Sequence, residues 1–186
     1  MYDSEVVKSG VKWGINSHLL NLYGRTLAVV PAGRQTVFNG EFEHTMDEKG
    51  RVFLPARHRE ALAPAVIVGR GADGQVNVYP KPLWEGMVER VRQAIQAGED
   101  SLSIRQAQRI LFSADECDLD RQGRIVVPPL LRNYANLDTA VIILGNNDRL
   151  EIWNRDRWQE VCMEAMAKSR ERGDDPKLVA KLGLSL

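Results

Sequence analysis

Apolar positions along the chain fall into two stretches of the same design. Ala65-Val66-Ile67-Val68-Gly69 and Val141-Ile142-Ile143-Leu144-Gly145 are continuously apolar and β-branched, the pattern of buried strands, so both are expected in the core. Val76 and Val78, and likewise Leu150 and Ile152, alternate with other residues after the turn words Ala72-Asp73-Gly74 and Asn146-Asn147-Asp148, which predicts a hairpin in each stretch. Ahead of the first buried run, Glu41 to Met46 and Arg51 to Leu54 flank Asp-Glu-Lys-Gly and predict another β-hairpin, with Gly50 supplying the positive φ of a tight turn. Pro55 closes its second strand, and Ala56 to Leu62 reads as a short helical turn before Pro64. Pro128, Pro129 and Leu130 to Ala135 repeat that turn in the second stretch.

Helical periodicity follows each strand-rich stretch. Leu83, Met87, Val91 and Ile95 are spaced for one helix after Pro82; Leu102, Gln106, Ile110 and Leu111 predict a second, capped by Ser101 and ending before Ala114. Trp158, Val161, Cys162, Ala165 and Met166 predict an amphipathic helix that fades from Lys168 to Gly173, and Asp175-Pro176 begins a last helix ending near Leu186. Trp84, Trp153 and Trp158 are expected as core or interface anchors rather than as platforms for base stacking.

The two stretches are copies of one another. At an offset of 73, Glu43, Asp47, Gly50, Arg51, Pro55 and Arg59 fall on Glu116, Asp120, Gly123, Arg124, Pro128 and Arg132, six identities in seventeen positions. Unrelated sequence would give about one. After small insertions the two buried runs align, then Val76-Asn77-Val78-Tyr79 with Leu150-Glu151-Ile152-Trp153, and Trp84 with Trp158. Two copies are too few for a solenoid and predict a pseudo-two-fold module of class α+β. The expected boundaries are residues 37–112 for the first repeat with two helices and 113–186 for the second with its C-terminal helices. Residues 1–36 lie outside the repeat and carry no comparable pattern; a disordered extension, a non-native segment ahead of a true start near Val37, and a partner-binding segment all fit.

Composition narrows the function classes. Lys plus Arg and Asp plus Glu both number 25 among 186 residues, so the formal net charge is zero, and any nucleic-acid binding must come from locally placed cations. Cys117 and Cys162 fit neither a disulfide framework nor metal-ligand spacing, His18, His44 and His58 are not paired as ligands, and no metal or other cofactor is implied. No apolar run reaches the roughly 20 residues of a membrane span. Asp3 and Glu5 stand where a secretory leader wants basic residues, so a reducing cytoplasm is expected.

The words Phe38-Asn39-Gly40-Glu41-Phe42-Glu43-His44-Thr45-Met46-Asp47-Glu48-Lys49-Gly50-Arg51 and Cys117-Asp118-Leu119-Asp120-Arg121-Gln122-Gly123-Arg124 closely resemble the MraZ family of bacterial transcriptional regulators. Leu54-Pro55-Ala56-Arg57, Tyr79-Pro80, Arg109-Ile110-Leu111-Phe112, Pro129-Leu130-Leu131-Arg132 and Ile152-Trp153 extend the likeness, which runs from about Phe38 to the C-terminus. The resemblance implies a double-split β-barrel of two swapped-hairpin halves, akin to the AbrB and MazE type of DNA-binding fold. It also implies a ring-shaped homo-oligomer that binds direct repeats in the promoter of the division and cell-wall gene cluster, its own promoter included, and represses it in association with the nucleoid. Members of the family usually begin near the position of Phe38, which sets residues 1–36 apart.

Asp-x-x-x-Arg suits such a role. In a tight turn the aspartate accepts bonds from backbone N–H groups, while the planar fork of the arginine is held in one direction. Arg51 and Arg124 would then reach base edges bidentately or clamp phosphate, Lys49 and Arg121 would position phosphates, and Asp47, Gly50, Asp120 and Gly123 would organise the loops. An internal Asp47–Arg51 or Asp120–Arg124 ion pair that only stiffens the turn is the competing reading. Gln122 stands where the first loop has Lys49, so the loops need not be equivalent. For Arg57, Arg59 and Arg132 an ion pair, between subunits or within the chain, is at least as well supported as a DNA contact. Charges around the first loop nearly cancel, so one copy should bind weakly and several on spaced DNA repeats far better.

Catalysis is not expected. His44 and Cys117 occupy equivalent rather than complementary positions, and neither a phosphate-binding glycine loop nor a nucleophile elbow is present. No small-molecule substrate is implied. An antitoxin-like protein-interaction module is the alternative, although the tail from Asp174 to Leu186 reads as helical rather than disordered.

Overall fold

A computed structural model describes residues 37–172, with side chains as far as Lys168. The three readings of residues 1–36, and the helix expected from Asp175, lie outside the described residues. Strands β1 (Glu41–Thr45) and β2 (Arg51–Phe53) come first. A 3-10 turn over Ala56–His58 leads into the single-turn helix α1 (Arg59–Leu62). Strands β3 (Ala65–Arg70) and β4 (Val76–Pro80) precede helices α2 (Lys81–Gln96) and α3 (Leu102–Leu111). The second repeat supplies β5 (Asp115–Asp118), β6 (Arg124–Val126), α4 (Pro129–Tyr134), β7 (Ala140–Asn146), β8 (Arg149–Asn154) and α5 (Arg155–Arg172). The result is a mixed α+β fold.

Strand order carries the pseudo-symmetry. One sheet runs β1-β7-β8-β4-β3-β5 and a two-stranded ribbon pairs β2 with β6, all antiparallel. Exchanging the repeats turns this order into its own reverse, so the symmetry axis passes between β4 and β8 and again through the ribbon. The hairpins expected at residues 72–74 and 146–148 are present as β3/β4 and β7/β8.

The hairpin expected between β1 and β2 is not. The turn closes, with Asp47 N donating to Arg51 O at 3.0 Å, but β1 then pairs with β7, and β2 with β6. The equivalent β5 pairs with β3 of the first repeat. Exchange gives β1 a five-residue ladder where its three-residue neighbour β2 offers a shorter one, and it covers edges of β7 and β3 that would otherwise stand open. The first strand of each repeat is thereby held by the other.

Period-two alternation decides what is buried. Val66, Val68, Val76, Val78, Val141, Ile143, Leu150 and Ile152 point to one side, where Val52, Leu54, Ile125 and Val127 meet them in a single core. Each fully buried side chain of this size contributes roughly 1.5–3 kcal/mol. On the other side of the sheet α2 lies on β3 and β4, and α5 on β7 and β8. That face buries Ile67, Ile142 and Trp153, the last 5.3 Å from the ring of Trp158. It also buries Glu151, whose carboxylate accepts from Asn146 Nδ2 at 2.8 Å and from Arg149 Nη2 and Trp153 Nε1 at 3.1 Å. A buried carboxylate with three donors meets the condition for burial.

Ser101 caps α3 as expected, its Oγ accepting from Ile104 N at 3.2 Å. The amphipathic character expected of α5 holds only near its start. Val161 and Cys162 are half-buried, whereas Met163, Ala165 and Met166 are exposed because the helix runs past the sheet that covers its first turns.

Candidate nucleic-acid interface

Both Asp-x-x-x-Arg loops are built on the same hydrogen-bond frame. In the first, Asp47 Oδ1 accepts from the backbone N–H of Lys49 at 3.0 Å and of Arg51 at 2.9 Å, and Gly50 N donates to Asp47 O at 2.8 Å. In the second, Asp120 Oδ1 accepts from Gln122 and Arg124 N–H, each at 2.9 Å, and Gly123 N donates to Asp120 O at 2.8 Å. Gly50 and Gly123 sit at φ +78° and +81°, a region that costs an L side chain about 1–2 kcal/mol. The second oxygen of each aspartate accepts from its own arginine, Arg51 Nε at 2.6 Å and Arg124 Nε at 2.8 Å. These donors, the arginine backbone N–H foremost and its side chain after it, hold Asp47 and Asp120 below the usual carboxylate range.

The ion pair and the oriented arginine are therefore one structure. With Nε bound to Asp47, neither Nη1 nor Nη2 of Arg51 donates a hydrogen bond among the described residues. Arg124 Nη2 lies 2.7 Å from the Asp120 carboxylate, and this arginine is the more enclosed, its side chain 22% exposed against 36% for Arg51. Lys49 and Arg121 are exposed at the loop tips.

The ribbon then brings the loops together. Its register sets Arg51 opposite Val126, Val52 opposite Ile125 and Phe53 opposite Arg124. Val52 and Ile125 face the core, so both arginines lie on the outer face, at opposite corners about 7–8 Å apart. A two-stranded ribbon is a shape the major groove, about 12 Å wide, admits.

A second pair of arginines braces the glycines, each from the repeat opposite. A Cβ on Gly50 would meet Arg132 Nε at 2.8 Å, and one on Gly123 would displace the side chain of Arg59. Arg59 Nε donates to Leu54 O at 2.8 Å. Neither these arginines nor Arg57 forms an ion pair among the described residues; Arg57 lies over the Phe42 ring at 4.8 Å and donates to the carbonyl and side chain of Asn39. Within the chain, packing and backbone bonds thus stand where an ion pair was weighed for these three residues.

Sequence reasoning also passed over Phe53 and Val126, the other two outward residues of the ribbon. Each is the middle of an apolar triplet, Val52-Phe53-Leu54 and Ile125-Val126-Val127, which reads as core. The signal was the arginine two residues earlier, which on a strand shares its face.

His44 and Cys117 stay apart, on β1 and β5 at opposite edges of the sheet. Burial, with Asp115 and Asp118 after it, pushes the Cys117 thiol up to about 11, while burial and then Arg59 lower the His44 imidazole. A thiol so raised is no nucleophile near neutrality.

Comparison with known proteins agrees with the duplicated frame. The family model described as "MraZ protein, putative antitoxin-like" matches twice, over residues 37–104 and 110–178. The protein named transcriptional regulator MraZ of Moorella thermoacetica is 44% identical over 129 residues, 69% of this chain and 88% of that protein. Its namesake in Heliobacterium modesticaldum is 44% identical over 136 residues, 73% and 93% of the two chains, and that of Roseiflexus castenholzii 44% over 134 residues, 70% and 92%. With both repeats matched in order and such identity over most of its length, the chain belongs to the MraZ family, a family of transcriptional regulators and not an enzyme class.

Proposed function

We propose that the protein is a sequence-specific double-stranded DNA-binding repressor, cytoplasmic and nucleoid-associated, acting on direct repeats in the promoter of a division and cell-wall gene cluster that includes its own gene. The observation that carries this reading is the outer face of the β2–β6 ribbon, where two arginines are each oriented by an aspartate of their own loop. Arg51 and Arg124 contact base edges, Lys49 and Arg121 contact phosphates, and Asp47, Gly50, Asp120 and Gly123 hold the loops in shape. The exchanged first strands and the palindromic strand order support a double-split barrel of two swapped-hairpin halves, in which residues 37–112 and 113–186 form one DNA-facing unit.

Charges around the first loop nearly cancel, so one copy binds weakly and several on spaced repeats far better. Leu102, 71% exposed, and the exposed Ile110 and Phe112 supply apolar surface at α3 that a second copy would cover in a ring-shaped homo-oligomer.

The test is fluorescence anisotropy on the DNA upstream of the gene and on a scrambled duplex at matched salt. Selective binding to the upstream DNA is expected. Equal weak binding to both, with one protein partner recovered stoichiometrically from the cell, would replace this reading with the antitoxin-like interaction module.

A further inference from the structure

The outer face of the ribbon carries four side chains, of which the proposed function uses two. Arg51 and Arg124 take one diagonal of the tile; Phe53 and Val126, 41% and 50% exposed, take the other. Alternation turns these two outward while Val52, Leu54, Ile125 and Val127 fill the core, and both outward positions carry apolar side chains.

Phe53 is also held in place. Arg124 Cζ lies 5.6 Å and Arg59 Cζ 6.0 Å from the centroid of its ring, and Arg59 is itself anchored on Leu54 O. A side chain whose position is set in advance loses little freedom when it meets a ligand. An apolar group in this position gains nothing from phosphate. The apolar feature on the major-groove edge of unmodified DNA is the 5-methyl group of thymine.

The register fixes where those methyl groups lie. Phe53 stands directly across from Arg124 and Val126 directly across from Arg51, each pair about 5 Å apart. With a rise of about 3.4 Å per base pair, a base read by either arginine lies one or two steps from the base met by its apolar neighbour.

We infer that Phe53 and Val126 are specificity-determining contacts to thymine methyl groups, a conclusion that rests on the DNA-binding reading above. Phe53 and Val126 occupy equivalent places in the two repeats. A phenyl ring reaches further than an isopropyl group, so the two halves of the ribbon read unequal sequences and the ribbon sits on its site in one orientation.

Single replacement of each thymidine by deoxyuridine removes the methyl group and leaves every hydrogen-bonding group in place. In anisotropy titrations on the upstream duplex, at least one replacement is expected to weaken the intact protein about fourfold, the worth of one buried methyl-sized group. Phe53→Ala should be indifferent at that position while keeping the melting transition and salt dependence of the parent. Val126→Ala should be indifferent at a different position. If Phe53→Ala fails to fold, Phe53→Val serves, and the loss at the Phe53 position should shrink to that at the Val126 position.

Uniform indifference of the intact protein to deoxyuridine overturns the inference, as does equal sensitivity of parent and variant at every position. Preference for the upstream over the scrambled duplex, read in the same titrations, separates the two failures. With preference present and no methyl dependence, only the thymine contact falls; with preference absent, the DNA reading falls and takes the contact with it.

Discussion

The two Asp-x-x-x-Arg loops share a backbone frame and differ in what they display. Every main-chain bond of the first loop recurs in the second within about a tenth of an ångström, from Asp47 N to Arg51 O at 3.0 Å against Asp120 N to Arg124 O at 2.9 Å. The residues that make the frame, an aspartate and a left-handed glycine, are identical in both. The side chains it displays are not: Glu48 and Lys49 face Arg121 and Gln122, Phe53 faces Val126, and Arg51 is freer than Arg124. Shape is therefore kept by few residues whose replacement costs both folding and binding, while the remaining positions alter what the loops contact at little structural cost.

The sharpest break in the comparison comes from the arginines. Arg51→Ala with Arg124→Ala should leave the melting transition near that of the parent and abolish discrimination between upstream and scrambled DNA. Two base contacts at about 1–3 kcal/mol each are lost. Singly, Arg51→Ala should cost more, because its side chain is 36% exposed against 22% for Arg124 and so presents more of its guanidinium to a ligand. Equal affinity of Arg51→Ala and parent for the upstream duplex would reduce the pair to a stiffener of the turn, and loss of folding in that variant would point the same way.

Next in size is a pair of glycine substitutions that should not behave alike. Gly50→Ala and Gly123→Ala both force a Cβ into the left-handed region, at about 1–2 kcal/mol. In Gly123→Ala the new Cβ also dislodges Arg59 and with it the bond to Leu54 O, worth a further ~1 kcal/mol, whereas Arg132 makes no hydrogen bond through Nε. Chemical denaturation should rank Gly123→Ala as the less stable; equal stability would mean that the Arg59 bond contributes nothing, and the reverse order that displacing Arg132 costs more than displacing Arg59.

A smaller, pH-dependent effect follows from the aspartates. Asp47 and Asp120 titrate below their unfolded value because their own loops donate to them. Their contribution is thus complete above the ordinary carboxylate range near pH 4 and is lost as pH falls through the lowered folded values. Melting temperatures of the parent and of Asp47→Asn should converge as pH drops below about 4; a constant gap would show that charge on the carboxylate is not what the loop uses.

The loops were legible in the sequence because everything they need lies within five residues: a carboxylate, a glycine and two N–H donors at fixed spacing. The same holds for the β3/β4 and β7/β8 hairpins, where turn words adjoin alternating apolar residues. The partner of β1 was not legible, because an alternating strand is equally suited to any antiparallel edge and only the whole sheet shows that β7 offers the longer ladder. Nor was the outward aim of Phe53 and Val126, since a run of three apolar residues conceals the alternation that places the middle one outside. The bracing of Gly50 by Arg132 and of Gly123 by Arg59 joins residues more than sixty apart and follows only from the exchange of strands.

The loop tips offer the mildest test and the one that separates positioning from reading. Lys49 and Arg121 are exposed and neither side chain takes part in the loop frame among the described residues, so Lys49→Gln and Arg121→Gln should each lower the slope of log affinity against log salt by about 0.9, one phosphate contact apiece. The ratio of affinities for upstream and scrambled DNA should stay that of the parent in both, because phosphate carries no sequence information. Gln122→Lys, which gives the second loop the lysine of the first, should steepen the slope by the same amount and strengthen binding to both duplexes alike. A change in the ratio in any of the three would move that tip from the backbone to the bases, and would make the unequal tips, rather than Phe53 and Val126, the source of the asymmetry of the ribbon.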